Sequence, residues 1–231
     1  MAETVGAERV IVALDRPDPA DNLELVELLK GHATWFKVGM REYYGAGDRL
    51  LGRLRELGAN VFLDLKLHDI PETVKGASQA LAYLRPALAT VHASGGAAMI
   101  RAAVEGFGPQ TQVLAVTVLT SLAADDAAAL GWQGDIPATA TRWARIALEA
   151  GAAGVVCSGH EVAALRALHP GALLVTPGVR PAGAATGDQA RVVTPAAAIT
   201  SGASYIVVGR PIHGAPDPLA AFRAIAAEKV G

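Results

Sequence analysis

The chain has 231 residues, 52% of them apolar, and its 20 basic and 22 acidic residues leave a formal net charge of −2 without a long run of either sign. That balance lacks the basic footprint of a nucleic-acid binder, and no stretch reaches the roughly 18 uninterrupted apolar residues that a membrane span requires. A single cysteine, Cys157, excludes an internal disulfide and a multi-cysteine zinc site, and the acidic start "MAETVGAERV" carries no signal-type apolar segment, so the expectation is a globular cytoplasmic protein with a small ligand.

Eight short runs rich in Val, Ile and Leu follow one another along the chain. They are "RVIVALD" (9–15), "TWFKVG" (34–39), "NVFLDLK" (60–66), "LATVHAS" (88–94), "QVLAVTVL" (112–119), "AGVVCSG" (153–159), "ALLVTPG" (172–178) and "SYIVVGR" (204–210). Several are apolar at nearly every position, as parallel strands covered on both faces are, and most intervening segments are long enough for a crossover helix. Gly58, Gly151 and Gly202 stand where helices would end before strands three, six and eight, each suited to a left-handed helix stop. Eight βα units in this length predict a single-domain (β/α)8 TIM barrel over residues 1–231, with a doubly wound open sheet as the structural alternative. The small, polar, Gly-containing segment 182–190 reads as a loop after strand seven, a place where loops close over ligands.

In such a barrel the chemistry lies at the C-terminal ends of the strands. Asp15 ends the first run, Lys37 lies near the end of the second, and Asp64 and Lys66 end the third. Period-2 alternation turns Asp64 and Lys66 to one side and Leu63, Leu65 and Leu67 to the other, so the charges can line the barrel mouth while the leucines face the helices. Asp69 falls in the next turn before Pro71, a residue suited to a first helical position, and reads as a cap for the new helix. A structural ion-pair network explains any one of these groups. Buried charges cost several kcal/mol each, however, so keeping four together favours a catalytic site.

"TPGVR" (176–180) and "VVGRPI" (207–212) each place glycine and arginine at the end of a strand, where backbone amides and a guanidinium can grip phosphate. The corner formed by the last two strands is a frequent phosphate site in barrels. His92 reads as a hydrogen-bonded structural residue, the other histidines show no metal-ligand spacing, and Cys157 reads as a small buried hydrophobe. "GAG" (45–47) lacks the rest of a dinucleotide fingerprint.

Taken together, "VALD", "FKVG", "FLDLKLHDIP", "TVHASGG", "AVTVLTS", "TPGVRP", "GDQARVVTP" and "VGRPI" resemble the orotidine 5'-phosphate decarboxylase family over nearly the full chain. The resemblance implies conversion of orotidine 5'-monophosphate to uridine 5'-monophosphate in pyrimidine biosynthesis, without metal or organic cofactor, by a homodimer that shares its active sites. It assigns Lys66 as proton donor to carbon 6, flanked by Asp64 and by Asp69 of the partner subunit, with Lys37 extending the array. It also implies that Asp15 and Lys37 contact the ribose, with Thr73 of the partner subunit nearby, and that Thr120 lies against the base. Gln189, Gly209 and Arg210 would hold the phosphate, with Arg180 at the same end. Glu72 and His213 depart from the family pattern, in which asparagine and threonine are expected. Two rivals are a metal-dependent sugar-phosphate lyase similar to 3-keto-L-gulonate 6-phosphate decarboxylase, which carries an acidic residue in place of Lys37, and a catalytically silent phosphate-binding barrel, from which loss of Lys66 or Asp69 would be expected.

Overall fold

The computed structural model describes residues 3–132, 135–181 and 193–231. The first half runs β1 (Val10–Ala13), α1 (Pro19–Leu29), β2 (Trp35–Gly39), α2 (Met40–Glu56), β3 (Asn60–Leu67), α3 (Pro71–Ala82), β4 (Leu88–His92) and α4 (Gly96–Phe107). The second runs β5 (Gln112–Val116), α5 (Ala124–Ala129), α6 (Ile136–Glu149), β6 (Gly154–Val156), α7 (Val162–Leu168), β7 (Leu173–Thr176), α8 (Pro195–Thr200), β8 (Tyr205–Val208), α9 (Arg210–His213) and α10 (Pro218–Ala226). All pairings are parallel and sequential, and β8 returns to β1, so the sheet closes into a barrel and the open-sheet alternative is set aside. Each predicted apolar run contains one strand. Gly58, Gly151 and Gly202 take positive φ values of 68°, 95° and 102°, as the helix-stop reading requires.

Alternation along each strand divides the apolar residues into two cores. Outward residues such as Val10, Val12, Phe36, Val38, Leu63, Leu65 and Val91 pack under the helices. Inward residues Ile11, Phe62, Leu88, Leu114, Val116, Val156, Val175 and Val207 fill the barrel. Phe62 is 1% exposed and plugs the barrel one step below Asp64, a burial that contributes about 1.5–3 kcal/mol. Trp35 and Tyr205 close the lower end, their ring centroids 5.0 Å apart. The interior is thus solid hydrocarbon up to the layer where the charges begin. No helix among the described residues is long and apolar enough to cross a membrane.

Candidate active site

Strand register explains how charges distant in sequence meet. Ala13, Lys37 and Phe62 are level with one another across β1, β2 and β3. Asp15 and Asp64 are the next inward positions on the strands flanking Lys37, so its long side chain rises between two carboxylates. Lys37 Nζ donates to Asp15 Oδ1 at 3.1 Å and lies 3.8 Å from Asp64 Oδ2. Lys66 Nζ donates to the same Oδ2 at 2.8 Å, while Thr90 Oγ1 donates to Asp64 Oδ1 at 2.9 Å. Within one chain the order is therefore Asp15, Lys37, Asp64, Lys66, with alternating sign. Gly39 helps to make room, because a Cβ there would sit 3.2 Å from Lys37 Nζ.

Burial works against both central charges, yet their neighbours prevail. Desolvation pushes the Asp64 carboxyl up, but Lys37, Lys66 and the hydrogen bonds from Lys66 and Thr90 hold it below its ordinary value. Desolvation likewise pushes Lys37 down, and Asp64, Asp15 and Glu42 raise it above its ordinary value. Asp64 is therefore a carboxylate and Lys37 an ammonium at neutral pH.

The predicted alternation around Asp64 holds, with a local departure. Lys66 has φ of +52°, in the left-handed region, and the β3–β4 register shifts between Leu63 and Leu67. A non-glycine residue there costs about 1–3 kcal/mol and persists only where its surroundings impose it. Asp69 does not cap α3. Ile70 is the cap position and has no side-chain cap bond, while Asp69 Oδ1 accepts from the adjacent Ile70 N–H at 2.7 Å. The chain leaves the bulge one residue later than the cap reading assumed, so the carboxylate cannot face the second or third helical amide. The expectation for Pro71 holds, since it opens the helix.

Two adjoining cavities lie over the array. The first, of about 320 Å³, is lined by Lys37, Asp64 and Lys66 at one side and by Val116, Val118, Thr120, Val156 and Pro177 elsewhere. The second, of about 540 Å³, is lined by Asp15, Lys37, Arg41, Arg180, Gly209, Arg210 and His213. Lys37, Pro177 and Val207 belong to both walls, so the two spaces form one elongated trough. One end is apolar with an ammonium beside it, and the other is rich in guanidinium. That is a suitable shape for a planar ring joined through a polyol to an anion.

Lys37, Asp64, Lys66 and Thr120 thus line the apolar, ring-sized end, and Asp15, Lys37, Arg180, Gly209 and Arg210 the guanidinium-rich anion end. Asp69 and Thr73 are exposed on the outside and line neither cavity of their own chain. Gln189 falls outside the described residues. Sequence reasoning missed Thr90, which looks like any strand residue, and Arg41, hidden in a helical pattern. It also missed Glu42, 3% exposed, whose carboxyl is raised by burial and whose Oε1 has no hydrogen-bond partner among the described residues. His213, noted only as a departure, lines the anion end; burial lowers its pKa, with Arg16 and Arg210 acting in the same direction and Asp15 against them. His92 is half-buried with its ring centroid 5.3 Å from that of His68. Cys157 is buried as expected, though it borders the first cavity.

Comparisons with known proteins agree with this geometry. The family model described as Orotidine 5'-phosphate decarboxylase / HUMPS family matches residues 8–225. Among curated relatives, an orotidine 5'-phosphate decarboxylase of Anaeromyxobacter dehalogenans is 55% identical over 96% of this chain and 98% of its own. Another, from Moorella thermoacetica, is 48% identical over 96% and 92% respectively. A crystal structure of orotidine 5'-phosphate decarboxylase from Lactobacillus acidophilus superposes with a TM-score of 0.83 at 39% identity, covering 94% of this chain and 97% of that one.

Proposed function

We propose the following division of labour from the premise that the chain belongs to the orotidine 5'-phosphate decarboxylase / HUMPS family. Its activity is the decarboxylation of orotidine 5'-monophosphate to uridine 5'-monophosphate in pyrimidine biosynthesis. The observation that carries the residue assignment is the Asp15, Lys37, Asp64, Lys66 chain at the apolar end of the trough.

Breaking the bond between carbon 6 and the carboxylate leaves an electron pair on carbon 6 that the pyrimidine ring delocalises poorly. Lys66 stabilises that developing charge as an ammonium and then transfers a proton to carbon 6, leaving a neutral amine to be reprotonated from solvent. Asp64 orients the ammonium from 2.8 Å. Carbon dioxide leaves as a neutral molecule. The hydrocarbon wall of Val116, Val118 and Val156 keeps water from the ring, which strengthens the electrostatic interactions at this end.

Asp15 and Lys37 bind the ribose hydroxyls, Thr120 lies against the base, and Arg180, Arg210 and the Gly209 backbone hold the phosphate, joined by Gln189. Phosphate binding far from the reacting carbon supplies energy that orders and desolvates the base. Asp69 and Thr73 serve the neighbouring subunit of a homodimer. This reading is supported by the exposure of Asp69 and of Ile70 beside it in sequence, the latter 66% exposed.

The metal-dependent lyase reading places a divalent ion in the mouth. Asp15 and Asp64 are each engaged by a lysine there, and no cluster of three or more His, Cys, Asp or Glu suited to a metal occurs among the described residues. Loss of orotidine 5'-monophosphate absorbance, followed with and without chelator, tests the choice. Equal rates are expected, and activity abolished by the chelator and restored by magnesium would overturn the cofactor-free mechanism.

A further inference from the structure

Thr90 lies on β4 beside the reacting pair and is 1% exposed. Its hydroxyl is engaged on both sides. The oxygen accepts the Lys66 main-chain N–H at 2.9 Å, and the proton is donated to Asp64 Oδ1 at 2.9 Å. A hydroxyl has one proton, so an amide on the acceptor side directs that proton to the carboxylate.

This contact occurs where the sheet is irregular. The β3–β4 register runs Phe62 with Leu88 and Leu63 with Ala89, then resumes at Leu67 with Val91. Four residues of advance on β3 face two on β4, and Lys66 sits inside the slip with φ of +52°. Its amide is satisfied by the Thr90 side chain in place of a ladder carbonyl. Opposite, the same hydroxyl fixes one oxygen of Asp64, leaving Oδ2 toward Lys66 Nζ at 2.8 Å and Lys37 Nζ at 3.8 Å.

We propose that Thr90 is a positioning residue for the decarboxylation, its hydroxyl holding both the main chain of Lys66 and the carboxylate plane of Asp64. The inference rests on the assignment of Lys66 and Asp64 under the proposed function. It adds a group on the neighbouring strand, β4, that lines neither cavity yet sets where the donated proton starts. The Thr90 hydrogen bond also favours the charged form of Asp64. The other ionisable groups facing that carboxylate are Lys37 on β2, Lys66 on β3 and His92 on β4, with Asp15 beyond Lys37. All remain in a Thr90 variant, so a changed acid limb belongs to the hydroxyl.

The test compares Thr90→Val and Thr90→Ser with the native full chain, measuring kcat, KM and the pH dependence of kcat on orotidine 5'-monophosphate, with urea midpoints to verify folding. In Thr90→Val the proton donor drifts out of line, a misplacement expected to lower kcat by about 100-fold. KM should stay within about threefold because the phosphate end is untouched, and the acid limb should move to higher pH. Thr90→Ser should keep kcat within about threefold of native, since both hydrogen bonds survive. A folded Thr90→Val with native kcat, an unmoved acid limb, or a Thr90→Ser as impaired as Thr90→Val would overturn the inference. If Thr90→Val does not fold, Thr90→Cys decides: close in volume but a weak donor, it should lose kcat while Thr90→Ser does not, and native kcat in Thr90→Cys would sink the idea. A native chain inactive on the substrate would instead refute the functional reading itself.

Discussion

Replacing Asp64 with asparagine removes one charge from the centre of the array with almost no change in shape. Lys66 Nζ lies 2.8 Å and Lys37 Nζ 3.8 Å from Asp64 Oδ2. At an effective dielectric constant of about 20, those separations correspond to gross attractions of about 6 and 4 kcal/mol. Desolvation of the buried ions offsets most of this, and truncating one partner of a buried pair typically costs about 3–5 kcal/mol because the remaining charge is uncompensated. Asparagine still offers an oxygen to Thr90, and Asp15 still holds Lys37 at 3.1 Å, so the lower end, about 3 kcal/mol, is expected. For a chain of this size that is a fall in Tm of roughly 6–12 °C at neutral pH. The folded-state pKa of Asp64 is lowered, so its contribution is present above the unfolded carboxyl value and is lost as pH falls through the folded one. Unfolding of the ligand-free native chain and Asp64→Asn across a pH series should give curves far apart near pH 7 that draw together below about pH 4. A stability difference under about 1 kcal/mol at pH 7, or one that stayed constant into acid, would refute the electrostatic account.

Three further outcomes follow from the same geometry. Mixing inactive Lys66→Ala and Asp69→Ala protomers should restore activity at hybrid sites that contain both native residues; no recovery after verified subunit exchange would contradict the shared site. Arg210→Ala, which removes one guanidinium from the anion end, should raise KM by about 10- to 100-fold, the worth of one charge-assisted hydrogen bond. Native KM in that variant would move the phosphate elsewhere. Lys66→Ala should abolish decarboxylation while uridine 5'-monophosphate still binds, checked by calorimetry, and residual turnover near native would remove Lys66 as proton donor.

The barrel was legible because its signal is repeated: eight apolar runs, each interrupted by a helix-length segment, admit few closures. The charged array was legible for a related reason. Asp15, Lys37, Asp64 and Lys66 each come toward the end of an apolar run, and alternation places Lys37 and Asp64 on the inward side of their strands. What sequence could not supply is anything that depends on where the ladder slips. The register shift between Leu63 and Leu67 decides that Lys66 adopts φ of +52°, that Thr90 meets its amide, and that the chain emerges so that Ile70, not Asp69, occupies the cap position. No residue type marks that shift, since Leu, Lys and Thr all suit a regular strand. Glu42 was hidden for a different reason: its helical spacing is that of a first-turn acid, and only packing behind Gly39 shows it to be buried.

The slip also shapes how this segment leaves the barrel mouth. A regular β3 would continue its alternation past Lys66 and carry the chain straight into α3. The left-handed residue turns it outward, so that the stretch ending at the exposed Asp69 and Ile70 leaves its own mouth immediately after delivering Lys66 to it. Under the proposed function Lys66 then serves its own mouth and Asp69 that of a neighbour, the arrangement that the mixed-protomer experiment tests. The Thr90 hydroxyl, bound to the Lys66 amide at 2.9 Å, is what holds that left-handed residue at the mouth, which is why the proposed positioning role falls to Thr90.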